Sequence, residues 1–161
     1  MKLGSKSMHQ VRQNIRKIVT SCLKKRFKKV FNSKAYITNL DEEPTITVST
    51  NKESFKLKTL FPAYYNCYLE LSIEAVKNES ENLEDELDQI STTINELISQ
   101  DKDLKEWADR VDLKSIETDF DSESDEFIGG IRLNYIVSYS QENPQHETYP
   151  HINFTGADLA I

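Results

Sequence analysis

The chain has 161 residues, 27 acidic against 20 basic side chains, a formal net charge of −7 and 37% hydrophobic residues, which suits one domain around a single modest core. The acidic balance argues against a surface built wholly to grip nucleic acid, because phosphate binding depends on Lys and Arg. No stretch approaches the roughly 18 apolar residues of a membrane span, and the N-terminus lacks the apolar core of a signal peptide, so the expected setting is a cytoplasm.

Met8, Val11, Ile15, Ile18, Cys22 and Phe27, with Val19 and Leu23 widening the stripe, predict a helix over 7–27. Ser7 is its expected N-cap. Lys24, Lys25, Arg26, Lys28 and Lys29 crowd its end, where cations suit the negative end of the helix dipole. "AYITNL" (35–40) and "PTITVST" (44–50) read as strands from their alternation and β-branched residues. "DEEP" between them reads as a turn, and "NKES" (51–54) as a second turn.

"FPAYYNCYLELSIEAV" (61–76) is the longest strand expected. Tyr64, Asn66, Tyr68, Glu70, Ser72 and Glu74 share one face, while Tyr65, Cys67, Leu69, Leu71, Ile73 and Ala75 share the other. One apolar and one half-polar face fit a sheet covered by helices on one side. A second helix is predicted over 80–99. Asn78 and Glu81 form its start signal, and Glu81, Glu84 and Asp85 load its first turns with acid. Leu83, Leu87, Ile90, Ile94 and Leu97 have coiled-coil spacing. Two heptads are too few to sustain a coiled coil, so the expectation is a helix packed on the sheet. A short helical piece over 104–110 carries Trp107, expected in the core.

The last strands are "VDLKSIETDF" (111–120) and "GGIRLNYIVSYS" (129–140). Ile131, Leu133, Tyr135, Val137 and Tyr139 alternate with Arg132, Asn134, Ile136 and Ser138 in the second. Together the elements read as an α+β fold: a mostly antiparallel sheet of about four to six strands, covered on one face by the N-terminal and central helices. Residues 1–140 form the expected domain, and 141–161 an extension poorly suited to fold by itself.

Asp119, Asp121, Glu123, Asp125 and Glu126 raise the question of a metal site. An EF-hand loop needs Gly at its sixth position and a bidentate Glu at its twelfth. Ser124 and Gly130 stand there instead, so this is no EF-hand. A long acidic hairpin loop is the better account, with Gly129 and Gly130 supplying positive φ or a bulge. Phosphate-binding glycine motifs and HExxH are absent, and His9, His146 and His151 lie far from both cysteines. Cys22 and Cys67 make no CxxC pair and no disulfide framework. Each falls on an apolar face, as small buried hydrophobes in a reduced compartment do. Neither an enzyme nor a cofactor or metal is expected.

The chain resembles the tail terminator (tail completion) proteins of long-tailed bacteriophages. The resemblance covers roughly 11–140. It is carried by an N-terminal helix of "VRQNIRKIV" type, the strand "EPTITVST", the long strand "YNCYLELSIEAV", the helix "LEDELDQISTTINELI" and the closing pair "VDLKSIETDFDSESDEFIGGIRLNYIVSYS". It implies a structural virion protein of the tail and neck, assembled in the host cytoplasm. Such proteins form a hexameric ring on the tail tube, stop its polymerisation and present the joint to head-completion or neck proteins. DNA passes through the lumen without sequence-specific binding, and no membrane is involved.

On this reading Ile131, Leu133 and Tyr135 are candidate contacts between subunits. Asp119, Asp121, Glu123, Asp125 and Glu126 are candidate contacts to the tail tube, the neck or the lumen. The extension beyond Ser140 departs from the shorter members of the family and reads as an added contact arm, with Tyr149, Ile152 and Phe154 as its candidate contacts. The alternatives are another neck or tail-tube protein, a small nucleic-acid-binding regulator using Lys24–Lys29, and a hydrolase with a carboxylate site not evident from spacing.

Overall fold

The structure, a computed structural model, describes residues 8–32, 43–78, 80–121 and 128–142. Its elements are α1 (Met8–Leu23), β1 (Lys29–Phe31), β2 (Thr45–Leu60), β3 (Ala63–Asn78), α2 (Leu83–Gln100), α3 (Lys102–Trp107), β4 (Arg110–Asp121) and β5 (Ile128–Glu142). The strands form one five-stranded sheet in the order β1-β2-β3-β5-β4. The short β1 runs parallel to β2, and every other neighbouring pair is antiparallel. This is the expected α+β fold, with a mixed sheet and an N-terminal and a central helix packed on it.

The helices cover one face. α1 buries Val11, Ile15, Val19, Cys22 and Leu23, with Ile18 and Phe27 packed at its margin. Burial of that stripe holds the helix, since an isolated helix of this length is marginal in water. α2 buries Leu83, Leu87, Ile90 and Ile94, and its next core residue is Ile98, while Leu97 is half-buried. A straight helix of 3.6 residues per turn drifts off a strict heptad, so the buried stripe moves one position on. That drift marks a helix lying on a sheet. Cys22 Sγ donates to the Leu97 carbonyl at 3.3 Å and ties α1 to α2. Asp101 caps α3 by accepting from the Leu104 N–H at 2.7 Å, and Trp107 packs against the core as expected.

Several expectations need correction. α1 ends at Leu23, and tight turns over 24–26 carry the basic cluster beyond it. α2 begins at Leu83, later than the start signal at Asn78 suggests. The "NKES" segment is no turn. β2 continues through it to Leu60, and a register shift between Thr50 and Glu53 absorbs the polar residues while pairing with β3 resumes at Leu69. The chain reverses between Leu60 and Ala63 instead. Neither Gly129 nor Gly130 has positive φ; both lie in regular β5 backbone. β1 had no counterpart among the expected strands. The strand expected over 35–40 and the Ser7 cap lie outside the described residues.

Candidate functional site

Ile131, Leu133 and Tyr135 are 1%, 0% and 2% exposed, beneath the helices. Their strand, β5, lies between β3 and β4 and is no edge. They are core residues and are not offered to a neighbouring subunit, because the helix layer already covers the face to which they point. Tyr135 Oη donates to Asn95 Oδ1 at 3.0 Å, which anchors α2 to the sheet. Asp119 lies within β4, opposite Gly130, and not in a loop. Asp121 ends that strand. Glu123, Asp125, Glu126, Tyr149, Ile152 and Phe154 lie outside the described residues. Among the described residues no group of three or more His, Cys, Asp or Glu side chains is placed to hold a metal ion.

The thiols are poorly suited to nucleophilic work. Burial pushes Cys22 and Cys67 up to about 12 each, so the reactive thiolate is scarce at neutral pH.

Three features stand out apart from the candidate residues; the half-polar sheet face was expected from the sequence, its side-chain ladder was not. The first is the sheet face away from the helices, which no described element covers. A side-chain ladder crosses four strands there. Asn51 Nδ2 donates to Ser72 Oγ at 2.9 Å, and Ser72 Oγ donates to Asn134 Oδ1 at 2.9 Å. Asn134 Nδ2 reaches Ser115 Oγ at 2.9 Å and Glu117 Oε2 at 3.2 Å. Beside it Arg132 donates to Glu74 Oε2 through Nε at 3.2 Å and Nη2 at 2.9 Å. Glu74, Glu117, Asp119 and Arg132 border a shallow hollow of about 250 Å³. The face is polar, acidic in balance and held in place by its own hydrogen bonds.

The second feature is the far half of the β2–β3 hairpin. Beyond Asn51 most β2 residues are exposed, and the tip carries Leu60 at 60% and Phe61 at 90% exposure. The base of this arm is braced from α1. Arg16 Nη1 donates to Thr50 Oγ1 at 2.8 Å, and Arg12 Nε lies 3.5 Å from Glu53 Oε2. The Glu53 carboxylate is 4% exposed, and its burial raises its pKa, with Arg12 only partly opposing.

The third feature is a pair of open sheet edges. β1 covers β2 only at Thr45, Ile46 and Thr47, so among the described residues nothing pairs with the outer side of 48–60. Among the described residues β4 is the last strand at the opposite end of the sheet. The alternation "FKLK" over 55–58 was the available signal for the β2 arm. No protein-family model matches the chain, and the search of curated proteins also finds no match.

Proposed function

We propose that this chain is a structural virion protein whose ring caps a phage tail tube, stops its polymerisation and forms the joint to the head and neck. The observation that carries the reading is the one-sided sheet: helices on one face, and on the other an uncovered, acidic-leaning polar face whose side chains are fixed by the Asn51–Ser72–Asn134 ladder. Such a face suits a channel wall, since carboxylates repel phosphate and let a duplex slide without readout. Size agrees: a domain of this length has a radius of gyration of about 15 Å, and six such bodies in a ring leave a hole about one domain wide. The exposed Leu60–Phe61 tip suits a contact with the tube or the neck. The function so read is binding and assembly, with homo-oligomer, tail-tube protein and neck proteins as partners.

The test is particle mass over a concentration series, with negative-stain images of the same samples and of isolated tail tubes incubated with the protein. A closed six-fold ring, or a cap that halts tube growth, supports the reading. Long tubes of this chain alone replace it with a tube protein. A monomer that caps nothing removes it.

A second reading has its own observation. Lys24, Lys25, Arg26 and Lys28 are exposed just after α1, as a small nucleic-acid-binding regulator would have them. It requires binding that weakens steeply with salt, with a slope of several units.

A further inference from the structure

We propose that copies of this chain join head to tail by strand addition, the open stretch of β2 (48–60) of one copy pairing with the open edge of β4 of the next. This deepens the ring reading and rests on it. An open edge is a row of unpaired backbone donors and acceptors, which proteins guard or pair. Here the two edges differ in sign. The β2 stretch holds Lys52, Lys56 and Lys58 against the single carboxylate Glu53, which is turned inward to Arg12. β4 holds Asp112, Glu117 and Asp119 against Arg110 and Lys114; Arg110 and Asp112 pair with each other at 3.1 Å, which leaves Glu117 and Asp119 against Lys114.

Charge then selects the partner. Pairing β2 with β2 sets lysine against lysine, and pairing β4 with β4 sets carboxylate against carboxylate; both are disfavoured across strands. Only β2 against β4 brings opposite signs together. The contact is therefore heterologous, the kind that builds rings or filaments and not two-fold dimers.

The two faces also match. A sheet that continues across the junction keeps each side chain on its own face. On the uncovered face Lys56, opposite Asn66, meets the side of β4 that carries Asp112, Glu117 and Asp119. On the helix side Leu57, opposite Tyr65, meets Leu113 and Ile116, which lie opposite Tyr135 and Leu133. Leu57 and Ile116 are 47% and 49% exposed in the single chain. Lysines that merely guarded an edge would need neither an acidic counterpart nor apolar residues exposed on the facing side.

The test uses the full chain and two reversed variants, K52E/K56E/K58E and D112K/E117K/D119K, all on the two edge strands; Asp112 is half-buried beside Arg110 and Glu117 accepts from Asn134, so folding of the second variant is checked directly. Sedimentation over a concentration series reads association, and circular dichroism with thermal melting checks folding. The wild type should associate, and each variant alone should need at least about tenfold higher concentration. Mixed one to one they should assemble again, because each variant's β2 edge then faces the opposite charge on the other's β4 edge. Wild-type association in both variants, or no rescue between two folded variants, overturns the proposal. A ring that forms regardless of the reversals overturns the edge pairing and leaves the ring reading standing, as does a monomer that still caps tail tubes.

Discussion

Gly129 lies directly under Leu83: a Cβ built on it would sit 2.7 Å from Leu83 Cδ2 and 3.1 Å from Leu87 Cδ1. The glycine lets the first turn of α2 come down onto β5. Its neighbour Gly130 faces the uncovered side, where a Cβ would meet the Ala75 carbonyl at an ordinary 3.7 Å. The two adjacent glycines should therefore respond differently. Gly129→Ala should cost about 1–3 kcal/mol by overpacking, and Gly130→Ala should lie within about 0.5 kcal/mol of wild type or gain slightly in strand propensity. Urea unfolding of the two variants side by side checks this; equal costs would mean that α2 can lift off β5.

The polar ladder makes a second prediction. Ser72 is buried although it lies on the uncovered face, and its hydroxyl joins Asn51 to Asn134. Ser72→Ala should cost roughly 1–2 kcal/mol, because it leaves both amides short of a partner. Asn134→Ala should cost a similar amount. The double variant should cost less than the sum, with a coupling of at least about 0.5 kcal/mol. Strict additivity in a denaturant-based cycle would show the ladder to be a set of independent surface contacts.

The uneven legibility of the fold has a physical pattern. α2 and β5 were readable because their periodicities are long and each buries one continuous stripe, Leu83 to Ile98 and Ile131 to Tyr139. β2 was read as stopping at Thr50 because "NKES" has turn composition, yet pairing to β3 overrides local propensity across a bulge. β1, three residues long, has no pattern to find. The candidate subunit contacts Ile131, Leu133 and Tyr135 failed for a different reason. Whether a strand is central or an edge depends on which segments pair across the chain, and the alternation of Ile131, Leu133 and Tyr135 looks the same in either place. Lys56 and Glu117 likewise define opposite edges only once the order β2-β3-β5-β4 is known.

Glu53 gives a pH signature. Burial raises its carboxyl pKa above the ordinary value, Arg12 offsetting only part. The folded chain then holds this proton more tightly than the unfolded chain, so the group's contribution falls as pH rises through the folded pKa and the full penalty remains above it. Glu53→Gln should remove that slope and stabilise the protein at neutral pH by about 1 kcal/mol. Glu86 works in the opposite sense. Hydrogen bonds from Lys77 and Ser80 lower its pKa, so its contribution is present at neutral pH and lost on acidification. Unfolding midpoints from about pH 4 to about pH 8 for wild type and E53Q separate the two; parallel profiles would show that the carboxylate is better solvated than its burial indicates.

The hairpin tip separates folding from assembly. Leu60 and Phe61 are exposed and absent from the core, so their loss should barely touch the monomer. L60S/F61S should keep its unfolding free energy within about 0.5 kcal/mol of wild type. If the tip is the anchor that grips the tube or neck, the same variant should weaken capping of isolated tail tubes at least about tenfold, because exposed aromatic residues commonly dominate such contacts. Association through the β2 and β4 edges should weaken far less, since Leu60 is only the last residue of the β2 edge and Phe61 lies beyond it. Tube-length distributions in the presence of each protein read the first effect, and sedimentation reads the second. Normal capping by L60S/F61S would move the tube contact elsewhere on the ring; lost association with normal melting would place the tip inside the junction between subunits.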